Sequence, residues 1–248
     1  ADWCLHPLLT ERAPERGVRK EIWREPVGVV AGITPFNAPL AFAALKAAPA
    51  LAAGNSVVLK PSERAPLAPI AVCEAAREAG LPPGVLNLIQ GDAEVASRLA
   101  ADPRVDLISL TGGTAAGTAV MHAAAATIKR LILELGGKSA HIVLADTDLE
   151  TAIAAVAAGI FRNAGQRCLS GSRLLVEASI AEQVEQRIAE LAERLVVGDP
   201  FDPATQVGAL IDERAVEAVD RFVAEAIAGG LRLAAGGRQV DALRPGTF

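Results

Sequence analysis

A parallel, doubly wound α/β sheet is the fold class this sequence predicts, and three observations carry it. From about residue 26 onward, short apolar runs alternate with alanine-rich stretches of helical length. The runs are apolar nearly throughout rather than at every second position, as expected of parallel strands covered on both faces. The strict alternation of the two kinds of segment implies βαβ crossovers.

The first strand of the sheet is read over residues 27–33 and the first helix over 39–53, with Pro39 near its first turn, where a missing N–H is tolerated. A strand over 56–60 leads to a helix over 66–79 that Gly80 closes. Strand, helix, strand and helix follow over 85–89, 93–101, 105–110 and 113–125, then a strand over 129–135. Gly136-Gly137 reads as a hinge, after which the same style resumes. A strand is expected over 140–144 and a helix over 149–161, capped by Asp146, Thr147 or Asp148. A strand over 173–176 precedes a charged helix over 180–196, supported by Glu182/Gln186 and Glu190/Arg194 at i, i+4 spacing. Asp199-Pro200 and Asp202-Pro203 break the chain. A helix over 212–228 and a strand over 231–235 complete the reading. Residues 8–24 are charged and alternate weakly, and are read as an extended ribbon on a partner surface in preference to a disordered leader. Three regions result: a leader or oligomerisation ribbon over 1–25, an α/β unit over 26–135, and a second over 136–248.

Composition narrows the function classes. The chain has 248 residues, 51% of them hydrophobic, with a formal net charge of −5. That acidity argues against a phosphate-backbone or anionic-membrane partner. Aromatics are 3% and tyrosine is absent, which leaves little for stacking on nucleic-acid bases. No apolar run reaches the ~18 residues of a membrane span. Cys4, Cys73 and Cys168 are odd in number and lack CxxC spacing, which speaks against a disulfide framework or a zinc site and for a reducing compartment, the cytoplasm. His6, His122 and His141 are scattered, so neither a Cys–His dyad nor a metal cluster is expected.

Five motifs stand where chemistry could be carried, each with a plainer reading beside it. Thr34-Pro35-Phe36-Asn37 follows a strand, the end at which open α/β sheets bind ligands. The Asn37 amide could donate to a developing oxyanion, or satisfy a proline turn. Lys60-Pro61-Ser62-Glu63 also leaves a strand; an ammonium and a carboxylate three residues apart suit a ribose diol, or form an ordinary surface pair. Leu110-Thr111-Gly112-Gly113-Thr114-Ala115-Ala116-Gly117 joins strand to helix. Its glycines allow close approach of a phosphate to free helix N–H groups, or make a capped turn. Glu134, ahead of Leu135-Gly136-Gly137-Lys138, ends an apolar strand, a poorly solvated setting in which a carboxylate can act as a base; it could equally be a paired residue at a hinge. Cys168 in Gly165-Gln166-Arg167-Cys168 could be a thiolate favoured by surrounding N–H groups, or a structural cysteine, the reading given to Cys4 and Cys73.

Taken in order, the five motifs resemble those of the aldehyde dehydrogenase superfamily, from about Arg24 to the last residue. The resemblance implies a Rossmann-like NAD(P)-binding domain over 26–135 and the first part of an α/β catalytic domain over 136–248. It implies oxidation of an aldehyde to a carboxylic acid with NAD or NADP as cofactor. Cys168 would be the nucleophile, Asn37 an oxyanion donor, Glu134 the base that activates water, and Lys46 an aid to proton movement. Ile33, Thr34, Phe36, Lys60, Ser62, Glu63, Gly91, Thr111, Gly112, Gly113, Gly117, Leu135 and Gly136 would line the cofactor. Glu63 would favour NAD over NADP. Gly113 departs from the family, where many relatives carry a serine. Partners implied are a small aldehyde and further copies of the chain, as a dimer or tetramer, with no nucleic acid and no membrane. The chain is about half as long as a typical relative, so a truncated chain is expected. The alternative is a catalytically incompetent fragment that binds nucleotide or a partner subunit.

Overall fold

The computed structural model describes residues 9–15, 17–240 and 247. They form two compact units that part between Leu135 and Gly136. Cys4, His6, Leu8, Gly246 and Phe248 lie outside the described residues.

The first unit is built on a five-stranded sheet of order β5-β4-β3-β6-β7, every neighbouring pair parallel. Its strands are β3 (Val29–Ile33), β4 (Ser56–Lys60), β5 (Leu86–Leu88), β6 (Leu107–Thr111) and β7 (Arg130–Glu134). The helices between them are α1 (Pro39–Ala52), α2 (Leu67–Glu78), α3 (Ala93–Ala101) and α4 (Thr114–Ala125). The chain runs outward from β3 through β4 to β5, returns through α3 to β6 beside β3, and runs outward again to β7. The doubly wound parallel sheet read from the sequence is the one found.

Side chains alternate across a strand, and here both faces are buried. Ala31, Ile33, Ile108 and Leu110 pack on Ala100 of α3 and on Val120 and Ala124 of α4. Val30, Val57 and Leu59 pack on Ala43 and Ala47 of α1. Leu59, Ile108 and Val57 are fully enclosed, each contributing roughly 1.5–3 kcal/mol through burial. Small alanines on the helices let these branched strand residues approach closely.

Two strands precede the sheet. β1 (Leu9–Glu15) and β2 (Val18–Trp23) pair antiparallel around Gly17, whose φ is +76°. Their register shifts between Arg12 and Glu15, the stretch that contains Pro14, which has no N–H to give to a ladder.

The first sheet strand starts at Val29 rather than at residue 27. Asn55 explains the difference. It is buried, and its Oδ1 accepts from the N–H groups of Val27 (2.7 Å) and Gly28 (3.1 Å). Its Nδ2 donates to Ala50 O at 2.9 Å. Gly28 has φ +117°, and a Cβ there would meet Asp106 Oδ2 at 2.2 Å, so the chain bends at this glycine before entering the sheet.

The second unit has a parallel pair, β8 (Ala140–Val143) and β9 (Arg173–Val176). Three helices follow the same chain: α5 (Leu149–Phe161), α6 (Ala181–Arg194) and α7 (Glu213–Ala228). Val143, Ile153, Val156 and Val184 form its core. Of the three candidate caps, Asp148 caps α5, accepting from Thr151 N at 2.9 Å. The strand expected over 231–235 is absent. Leu231 N turns back to Ala226 O to close α7, Arg232 pairs with Glu185, and Gly236 N donates to Glu193 Oε1 at 2.9 Å. Charges on α6 thus take up this segment, and no neighbouring strand supplies a ladder among the described residues.

Replacing Asn55 with alanine leaves two N–H groups to find new partners, while Ala50 O keeps its bond from the backbone N–H of residue 55. Asn55→Ala is expected to destabilise the chain by about 2–3 kcal/mol. The readout is a lower urea midpoint at unchanged slope.

Candidate active site

Parallel pairing sends the carboxyl ends of β3, β4, β6 and β7 to one edge of the sheet, and the strand order reverses between β3 and β6. That reversal opens a crevice where α/β sheets bind ligands. The expected residues of the first unit follow the strands toward this edge, apart from Lys46 on α1 and Gly117 in α4.

Ile33 ends β3, and the N–H of Thr34, the next residue, donates to Lys60 O at 3.1 Å. Thr34 is 3% exposed and its Oγ1 has no hydrogen-bond partner among the described residues. Phe36 and Asn37 are half-buried in the loop before α1. Thr111 ends β6 in the matching position; it is buried and its Oγ1 also lacks a partner among the described residues. Buried hydroxyls ordinarily have partners, so two orphans flanking a switch point mark a place for a polar ligand.

Gly112 N donates to Glu134 O at 3.0 Å, which joins the glycine-rich turn to the end of β7. Gly113 caps α4 without a side-chain hydrogen bond, and the helix has no acidic residue in its first turn. A Cβ at Gly113 would meet nothing within 4 Å, so the helix end stays open on that side. Gly117 serves packing: a Cβ there would stand 2.8 Å from Leu135 Cδ2. Its bare backbone lets α4 lie against Leu135. Gly91 has φ +149°, and a Cβ would strike Val95 Cγ2 at 2.4 Å, so only glycine fits that turn.

Lys60 at the end of β4 is 4% exposed, and its Nζ lies 3.5 Å from Glu63 Oε2. Ser62 Oγ accepts from Arg64 N at 3.3 Å and so shapes the turn between them. Lys46 reaches in from α1. It is buried, and its Nζ donates to Ser109 Oγ at 2.9 Å. Burial pushes the Lys46 ammonium down to about 8, against the opposing pull of the Glu134 carboxylate. Glu134 itself is exposed rather than poorly solvated as expected, because β7 is an edge strand.

Gly136 and Cys168 belong to the second unit. Cys168 is a free, exposed thiol in the turn after Gln166-Arg167. A Cβ on Gly137 would stand 3.1 Å from Cys168 O, so Gly137 permits a close approach of backbone to the cysteine turn. That turn is entered through three successive left-handed residues, Asn163 (φ 54°), Ala164 (φ 52°) and Gly165 (φ 73°). Gln166 holds it: its Nε2 donates to Asn163 O at 3.2 Å and its Oε1 accepts from Ile211 N at 2.9 Å.

The model of the aldehyde dehydrogenase family matches residues 1–248. The chain belongs to that family. It is 43% identical over 236 residues to mitochondrial succinate-semialdehyde dehydrogenase of Arabidopsis thaliana, covering 95% of this chain and 44% of the relative. It is 44% identical over 225 residues to betaine aldehyde dehydrogenase of Cereibacter sphaeroides, covering 91% and 46%. A crystal structure of betaine aldehyde dehydrogenase from Staphylococcus aureus in complex with NAD+ superposes with a TM-score of 0.95 at 37% identity, covering 100% of this chain and 50% of that one. The chain thus spans about half the length of the relatives it matches.

Within this family frame the residues suit a dinucleotide. Two orphan hydroxyls flank the switch point, an uncapped helix end stands beside Gly113, and an ammonium–carboxylate pair leaves β4. Sequence reasoning missed Ser109, the partner of Lys46. The visible signal was a serine inside the apolar run Leu107-Ile108-Ser109-Leu110; its pairing with Lys46 is long-range and leaves no local mark.

The Lys46 value fixes a pH dependence. The folded pKa of about 8 lies below the ordinary 10.5. Below pH 8 the ammonium is charged in both states and its burial cost stands in full. Between about 8 and 10.5 the unfolded chain holds the extra proton, so stability rises with pH and the cost fades. Lys46→Met is therefore expected to raise stability at pH 7 by on the order of 1–3 kcal/mol, net of the bond lost at Ser109. Thermal unfolding as a function of pH checks it: the gap to the unaltered chain narrows toward pH 10.

Proposed function

We propose that the chain supplies the nucleophile, the base and the cofactor crevice for NAD-dependent oxidation of an aldehyde to a carboxylic acid. The observation that carries this reading is the crevice itself: Thr34 and Thr111, buried and unpartnered, flank the switch point of a sheet in a chain of this family.

In this reading Lys60 Nζ donates to the hydroxyls of the adenosine ribose and Glu63 accepts from them. The carboxylate of Glu63 disfavours a further phosphate on that ribose, so NAD is favoured over NADP. The first N–H groups of α4, beside Gly113, take the pyrophosphate. The nicotinamide ring, when bound, accepts the hydride.

The chain's own residues account for the rest. Cys168 Sγ forms a bond to the aldehyde carbon while the carbonyl oxygen becomes an alkoxide. The Asn37 amide and the Cys168 backbone N–H donate to that oxygen. Loss of hydride from carbon leaves a thioester on Cys168. Glu134 takes a proton from water, the water oxygen adds to the thioester carbon, and the C–S bond breaks with the sulfur leaving as thiolate. Lys46 takes part in moving the proton away from Glu134. The β1–β2 ribbon, which exposes Val18, Ile22 and Trp23, is assigned to contact between subunits.

NADH formation with a panel of aldehydes, including succinic semialdehyde and betaine aldehyde, tests the reading. Cys168→Ala is expected to keep NAD+ binding and lose turnover. Glu134→Gln is expected to keep the first burst of NADH while steady turnover falls roughly 10²–10⁴-fold, and Asn37→Ala to lose about 10²–10³ in rate. Aldehyde-dependent NADH formation that survived in Cys168→Ala would sink it.

A further inference from the structure

Lys46 runs from α1 onto the sheet at the point where β3 offers no side chain. A Cβ on Gly32 would stand 2.8 Å from Leu59 Cδ2 and 3.3 Å from Lys46 Cβ. Gly32 therefore leaves the space that Leu59 and the stem of Lys46 share. In the parallel register Gly32 is paired with Ser109 of β6, and strand alternation puts Ser109 on the face of Val30 and α1, opposite Ile108 and Leu110. The ammonium crosses Gly32 and ends on Ser109 Oγ at 2.9 Å, with both residues buried.

A buried ammonium without an acceptor is strongly disfavoured. Ser109 is the acceptor that meets it, and Glu134 at the end of β7 is the charged group whose field it feels. Without Ser109, no other hydrogen-bond acceptor among the described residues meets the tip of the flexible four-carbon stem, and the ammonium can withdraw from the sheet. A hydroxyl also suits both protonation states: it accepts from an ammonium and donates to a neutral amine. That property matters for a lysine whose burial brings it to about 8.

We propose that Ser109 is a positioning residue for proton transfer: its hydroxyl pins Lys46 Nζ across Gly32, within the field of Glu134. The proposal rests on the aldehyde-oxidation reading for its use, but the contact can be tested without substrate. A hydrogen bond to the charged form holds a pKa up, so removing the hydroxyl lets the Lys46 value fall further.

The experiment is an NMR titration of the whole chain labelled with ¹³C,¹⁵N-lysine. The Lys46 signal is assigned by its loss in Lys46→Arg. The unaltered chain is expected to titrate near 8 at this residue. Ser109→Ala is expected to move the midpoint down by about one pH unit, and Ser109→Thr, which keeps the hydroxyl, to return it toward the original. A midpoint unmoved in Ser109→Ala overturns the proposal, whether or not the chain oxidises aldehydes. So does a Ser109→Thr variant that folds and titrates like Ser109→Ala. Where turnover is measured, Ser109→Ala is expected to shift the pH profile of steady turnover while leaving the NADH burst in place. The titration shift with no aldehyde oxidation by the unaltered chain leaves Ser109 as the anchor of Lys46 and overturns the functional reading alone.

Discussion

The parallel pairing of β3 with β6 is the contact on which the candidate site depends. These two strands are far apart in sequence and adjacent in the sheet, with Gly32 beside Ser109 and Ile33 beside Leu110. The register brings Thr34 and Thr111 to corresponding strand ends. It also sets a residue without a side chain next to a hydroxyl, which gives Lys46 both a channel and an acceptor. A slip of one residue would turn Ser109 to the opposite face, into the apolar layer of Val120 and Ala124. Burial on both faces guards against that slip, because any shift would expose or misplace a full set of branched side chains.

The first unit encloses two lysines, Lys46 and Lys60, at 7% and 4% exposure. Burying a charge opposes folding unless it is well paired. Neither lysine is. Lys60 has a half-exposed carboxylate at 3.5 Å, and Lys46 has one hydroxyl and the field of an exposed Glu134. A core selected for stability alone would place aliphatic residues at both positions. Departures of this kind concentrate where a fold serves a ligand or a reaction, and Lys60 ends β4, at the edge where open α/β sheets bind ligands.

Much of the first unit was legible because its signals are local. Apolar runs of strand length and Pro39 at a helix start, like Asp148 at a helix cap in the second unit, each act within a few residues. What escaped depends on distant partners. Val27 and Gly28 look like strand, but Asn55 takes their N–H groups. Residues 231–235 look like strand, but acidic side chains on α6 hold the segment. Glu134 ends an apolar run, yet the edge position of β7 leaves it exposed. In each case hydropathy was read correctly, and a long-range hydrogen bond or the strand's place in the sheet decided the outcome.

The cysteine turn shows the same division from the other side. Gly165 announces a left-handed residue, but Asn163 and Ala164 adopt that conformation too, and alanine does so only under constraint. Such a conformation costs on the order of 1 kcal/mol per residue and persists where its surroundings over-determine it. The constraint here is Gln166, bonded back to Asn163 O and forward to Ile211 N. That second bond ties the turn to a segment 45 residues further along the chain. A thiol on an unrestrained loop would sample many directions. One carried just after a strained, doubly tied turn is held to few, the property that the proposed nucleophile needs for attack on a single carbonyl carbon. The strain at Asn163 and Ala164 and the bonds of Gln166 are therefore best understood together, as the means by which the turn fixes the backbone that bears Cys168.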